Sequence, residues 1–127
     1  MRDNAPIDRE THCPFLLRVF CSTSGPHRKE DFEKLDENPI EGELHIYTWP
    51  DATLREIADL VQDSNSDARK SSARMGFSIV SQIRDGRIVM RKIGWVNSNR
   101  RKTGDEDKTL AALRFEPGDY LDVALHQ

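Results

Sequence analysis

Four histidines, two cysteines and one run of acids are the residues here whose types catalysis or metal binding commonly uses. His12 and Cys13 adjoin, the nearest approach in the chain to a thiolate–imidazole pair. Neighbours in an extended segment point to opposite sides, so this histidine is badly placed to take the proton of that thiol. The histidines at 12, 27, 45 and 126 show neither H-x₃₋₅-H nor a partnering C-x₂-C, and a zinc site is unsupported. Asp105, Glu106 and Asp107 are consecutive, whereas a calcium loop alternates its ligands and closes on a glutamate. They read as a solvated loop, and the preceding Arg100, Arg101 and Lys102 as a plain surface run. The glycines are isolated turn formers, with no phosphate cradle among them. No catalytic residue, metal or cofactor is expected, and the chain reads as a non-enzyme.

Chemistry being absent, surfaces become the question, and surfaces depend on the elements that carry them. A chain of 127 residues fits one domain with a genuine core. Its 32% charged content against 36% hydrophobic leaves some of it as arm and loop. The net charge of −3 argues against direct nucleic-acid binding, which calls for a basic domain or stripe. Cys13 and Cys21 lie on one extended segment, roughly 26 Å apart at strand rise, too far for a disulfide. Free thiols without a signal peptide indicate cytosol or nucleus, and no apolar run approaches the ~18 residues of a membrane span.

Residues 1–12 read as a polar arm, and 13–127 as one domain. Strands are expected at 13–22 and 43–49, on either side of an insert loop (23–42) whose "KEDFEKL" fits one or two helical turns. Thr53 and Glu56 form a T-x-x-E capping box, with Asp51 a rival cap. Leu54, Ile57, Ala58 and Val61 then repeat at helical spacing as one buried stripe, dissolving near residues 64–69. Two more strands (73–83 and 87–96) flank an Asp-Gly turn. A polar loop (97–108), a helical turn holding Leu110 and Leu113 inward, and a strand at 120–126 complete the chain. The order β-β-α-β-β-turn-β predicts an α+β fold of the ubiquitin-like β-grasp type, a mixed five-stranded sheet packed on one helix with long loop insertions.

Alternation sends Phe15, Leu17, Val19 and Cys21 toward that helix, and Leu16, Arg18 and Phe20 away from it. On the second strand Leu44, Ile46 and Thr48 oppose His45, Tyr47 and Trp49. Leu16, Phe20, His45, Tyr47 and Trp49 would therefore share one outer face, an apolar and aromatic patch suited to protein binding. The arm and the 23–42 loop are both long enough to cover it. The end "VALHQ" has no terminal Gly-Gly, so conjugation as a modifier is not expected.

Several stretches together resemble the small Sin3-associated polypeptide family: "PIDRETHCPFLLRVF" (6–20), "ELHIYTWPDATLREI" (43–57), "FSIV" (77–80), "KIG" (92–94) and "TLAALRFEPGDYLDVAL" (109–125). Pro50, a longer 95–106 loop and the lack of a Pro/Arg-rich tail depart from the pattern. The resemblance implies a ubiquitin-like fold and a nuclear adaptor without catalysis, with a cytoplasmic location also open. Its implied partners are Sin3 histone deacetylase corepressor proteins, and Acinus with an RRM-containing splicing activator in a complex attached to the exon junction complex. The implied roles are transcriptional repression and control of pre-mRNA splicing. The competing reading is a ubiquitin-like binding domain of the ubiquitin/proteasome pathway.

Overall fold

In a computed structural model, residues 8–23, 25–35, 37, 39–70, 72–99 and 101–126 are described. The first half of the arm (1–7) and Arg100 of the basic run lie outside them. The strands are β1 (Phe15–Ser22), β2 (Glu43–Thr48), β3 (Arg74–Gln82), β4 (Ile88–Asn97) and β5 (Tyr120–His126). They form one mixed sheet in the order β2-β1-β5-β3-β4, in which only the β1–β5 pair is parallel. The last strand lies beside the first, as expected for the β-grasp.

Helix α2 (Leu54–Ser64) packs on one face of that sheet. Thr53 is its N-cap, the hydroxyl accepting from the N–H of Glu56 at 3.2 Å. Leu54, Ile57, Ala58 and Val61 are fully buried against Leu17, Val19, Ile79, Leu121 and Val123. Each large aliphatic of that stripe contributes about 1.5–3 kcal/mol by leaving water. Leu110 is buried and Leu113 half-buried, because the 109–115 turn bonds onto the β2–α2 joint through Leu110 N–H to Ala52 O and Ala111 N–H to Pro50 O, each 2.9 Å. Cys13 is exposed and Cys21 buried, both as free thiols. Burial and the nearby Asp122 push the Cys21 thiol up to about 11. No helix among the described residues is long and apolar enough to cross a membrane.

The helical turn expected of "KEDFEKL" is present as a second helix, α1 (Lys29–Glu33), on the face of the sheet opposite α2. Five residues cannot hold a helix in water by themselves. What fixes it is Phe32, 4% exposed, set edge-on against Phe20 with ring centroids 5.2 Å apart. Its loop is tethered by His27, whose Nδ1 lies 2.6 Å from Oδ1 of the buried Asp122.

One feature differs from expectation: Glu106 is buried rather than solvated. Burial alone would raise its carboxyl, but N–H groups of Thr103, Gly104 and Glu106 itself, and the Thr103 hydroxyl, hold it at about 2. The tight turn around it presents Glu106 O and Lys108 O to the N–H groups of Arg55 and Leu54, each at 3.0 Å. Those are first-turn donors that no helix satisfies internally. The same loop closes on β4: Trp95 N–H donates to Asp105 Oδ2 at 2.9 Å, and Thr103 Oγ1 donates to Trp95 O at 2.6 Å. Gly94 permits this approach, since a Cβ there would stand 2.8 Å from the Asp105 carboxyl carbon.

Candidate protein-binding face

The β1–β2 register builds the outer face pair by pair. Phe20 lies opposite Glu43, Arg18 opposite His45, and Leu16 opposite Tyr47. Directly opposed residues on one face are within side-chain reach, so each pair acts as a unit. The pairs run from closed to open along the strands.

Phe20 is the closed end. The expectation that it forms part of an open patch is corrected: it is 0% exposed, covered by Phe32 and flanked by Val80 and Tyr120. Alternation did point it away from α2, but the 23–42 loop brings a second small core to that side. An apolar ring left bare there would have cost what Phe32 now offsets.

Arg18 is the boundary. Its guanidinium donates to both oxygens of Glu43, at 2.5 and 3.1 Å, and to the Tyr120 hydroxyl at 3.2 Å, with its carbon 4.8 Å from the Tyr120 ring centroid. His45 Nε2 lies 2.7 Å from the same Glu43 carboxylate. Arg18, and to a lesser degree His45, keep Glu43 below the usual carboxylate range against the opposing effect of burial. This arrangement forms a wall of matched charge beside the buried aromatics.

Beyond the wall the face opens. Leu16 is 40% and Tyr47 68% exposed, and no segment among the described residues covers them. His45 is exposed at their side. Trp49 is half-buried, with the arm across it: its Nε1 donates to His12 O at 2.7 Å, and the Arg9 guanidinium carbon sits 4.8 Å from its ring centroid. Arg9 reaches there because its nitrogens hold Asp51 at 2.8 Å and Glu56 at 2.9 Å, which raises its own basicity. Glu56 thus turns its carboxylate to the arm. Of the five residues expected to share one open patch, the structure leaves Leu16, His45 and Tyr47 open, half covers Trp49 and closes off Phe20.

Tyr120, as ring support for Arg18, and Arg9, as the arm's anchor, escaped sequence reasoning. Arg9 sits in a polar stretch without periodicity, where a residue gives no sign of what it reaches. Tyr120 had a usable signal, since it leads the strand expected to lie beside β1.

The family model described as Sin3 associated polypeptide p18 matches residues 6–125. The chain is 44% identical over 122 residues to the histone deacetylase complex subunit SAP18 of Arabidopsis thaliana, covering 95% of this chain and 80% of that one. It is 42% identical over 121 residues to the Homo sapiens protein of the same name, covering 94% and 78%. Its similarity to the probable histone deacetylase complex subunit SAP18 of Caenorhabditis elegans is 35% over 122 residues, covering 94% and 73%.

Proposed function

Because the chain belongs to the Sin3-associated polypeptide family, we propose that it is a non-enzymatic adaptor subunit of a histone deacetylase corepressor complex. Its place of work is the nucleus, and its partners there are Sin3 and deacetylase-complex proteins. The same adaptor also serves pre-mRNA splicing, through Acinus and an RRM-containing splicing activator attached to the exon junction complex. The contact surface is Leu16, His45 and Tyr47, bordered by Trp49, with Phe20 as the packed floor behind it.

The observation that carries this reading is the Leu16–Tyr47 pair. On the same outer side Phe20 is covered by α1 and Trp49 half covered by the arm, while Leu16 and Tyr47 stay open opposite each other. Tyrosine and leucine opposite each other across the strand pair, rimmed by the matched Arg18–Glu43–His45 charges, give an apolar centre with a polar border. The β2 strand is also a sheet edge, which can accept a partner strand.

The test is capture from nuclear extract on immobilised protein, with bound proteins identified. Sin3 and deacetylase subunits should be recovered, and Acinus with its RRM partner in a separate fraction. Recovery of proteasome or ubiquitin-receptor subunits alone would establish the competing ubiquitin-pathway reading. Tyr47→Ala with Leu16→Ala should lower capture about tenfold, the effect of losing one good anchor. Unchanged capture by that double variant would place the contact elsewhere.

A further inference from the structure

The charges of this chain are sorted along it. Residues 69–102 contain ten lysines and arginines and one acid, Asp85, in a protein whose net charge is −3. Outside that stretch Arg9 is engaged by Asp51 and Glu56, Arg18 by Glu43 and Arg55 by Asp59. Arg74, Arg91, Lys92, Arg101 and Lys102 are all exposed, and among the described residues none of them is paired with a carboxylate.

The fold brings these cations to one margin. Arg74 lies opposite Asn97, whose side-chain amide donates to Arg101 O at 2.9 Å, and both arginines line one open hollow with Asn99. Lys92 is five residues back along β4 from Asn97, roughly 16 Å at strand rise. It borders a second, apolar hollow of about 120 Å³ floored by Gly76, Ala124 and Trp95.

This margin is also a backbone edge, because β4 is the outermost strand on that side. Its far end is sealed: the Trp95 amide and carbonyl are taken by Asp105 and Thr103, and Asn97 O accepts from Arg55 at 2.8 Å. Over residues 88–93, no backbone group among the described residues bonds outside the sheet. We propose that this half of β4 receives an extended acidic peptide segment of a partner protein as an added strand. Alternate carboxylates would face Lys92 on one side of the sheet and, where the segment runs on past residue 93, Arg74 and Arg101 on that same side.

Nucleic acid fits this margin less well. A base needs a free aromatic face to stack on. The Trp95 ring lies against the bare Cα of Gly76, with the Arg74 guanidinium carbon 4.7 Å from its centroid and the His126 ring 5.0 Å away. An open strand edge, by contrast, offers what an extended peptide pairs with.

The probe is a terminally blocked, fluorescein-labelled decapeptide of alternating glutamate and valine. Its lysine–valine counterpart and a short oligouridylate serve as comparisons, all read by anisotropy at low and physiological salt. The glutamate peptide should bind about tenfold or more tightly than the lysine peptide, and weaken with salt. Reversing Arg74, Lys92 and Arg101 to glutamate should cost it about tenfold or more. The neutral triple variant (R74Q, K92Q, R101Q) should also weaken it, and serves if reversal loosens the fold. Tyr47→Ala should leave it unchanged, so this margin and the Leu16–Tyr47 face stand or fall separately. Backbone amide shifts on binding should centre on residues 88–93. Equal binding of both peptides, tighter binding of oligouridylate, indifference to the triple variants, or shifts centred elsewhere would each overturn the proposal. In the first and third cases the cations would serve only to keep a bare edge from self-pairing.

Discussion

Arg9 and Trp49 form one joint between the arm and the body of the domain, the guanidinium carbon lying 4.8 Å from the ring centroid. The geometry is forced from behind by Asp51 and Glu56, which hold the fork on both sides. Arg9→Ala should therefore free the arm, with a stability loss of about 1 kcal/mol for a part-exposed ion pair and ring contact. Amide exchange over residues 8–12 should quicken while the sheet stays protected. Arg9→Lys should restore little, since an ammonium cannot grip two carboxylates as a planar fork does. Unaltered exchange in Arg9→Ala would show that Trp49 and His12 hold the arm by themselves.

Phe20 and Tyr47 make opposite predictions although alternation gives them the same face. Phe20→Ala should cost about 3–5 kcal/mol, because its ring is fully enclosed by Phe32, Val80 and Tyr120. Tyr47→Ala should shift stability by no more than about 0.5 kcal/mol, its ring being 68% exposed. Urea denaturation of the two variants checks both, and equal losses would contradict the assignment of open and closed ends.

Glu106 should leave a signature in acid. Its folded-state value of about 2 is below the ordinary 4.5, so its stabilisation is fully present above the ordinary value. That contribution is lost as pH falls through the folded value. At neutral pH Glu106→Gln should be less stable by about 2 kcal/mol, since an amide cannot accept from the same set of donors. The gap between variant and wild type should narrow between about pH 4.5 and pH 2. A gap constant across that window would remove the carboxylate from the account.

Thr48 offers a gain. Its hydroxyl is buried, at 1% residue exposure, without a hydrogen-bond partner among the described residues. Thr48→Val keeps the shape and removes the unsatisfied group, so stability should rise by about 1 kcal/mol. A fall in the melting temperature would mean that the hydroxyl is satisfied in solution.

How much of this was legible in the sequence depended on whether the signal was local. Thr53, Leu54, Ile57 and Val61 announced a capped helix with one buried stripe, because caps and 3.6-residue periods are set by neighbours in the chain. The faces of β1 and β2 were equally readable from alternation. What lands on a face is a different matter. Phe32 reaches Phe20 from twelve residues away through a loop dense in charge, and nothing in that loop's composition specifies where it docks. Glu106 was misread for a related reason. An acid between two acids looks solvated, yet three backbone donors of its own turn make burial tolerable. Its role at the helix N-terminus becomes visible only when residues 54–55 and 106–108 are seen together.

The strand order has a consequence for how the molecule comes into being. Among the described residues the β1–β2 and β3–β4 pairs share no hydrogen bonds; β5 lies between them in the sheet and pairs with both. That connecting strand is the last of the five to leave the ribosome, and α2 likewise waits for residues 106 and 108 to satisfy its first turn. Until then the nascent chain holds two separate ribbons with bare edges, neither of them stable in isolation. Assembly must therefore await β5 and is dominated by contacts distant in sequence, which makes it slow for a domain of this size. The interval in which the β5-facing edges of β1 and β3 stand bare is the one in which this protein most needs protection from its neighbours.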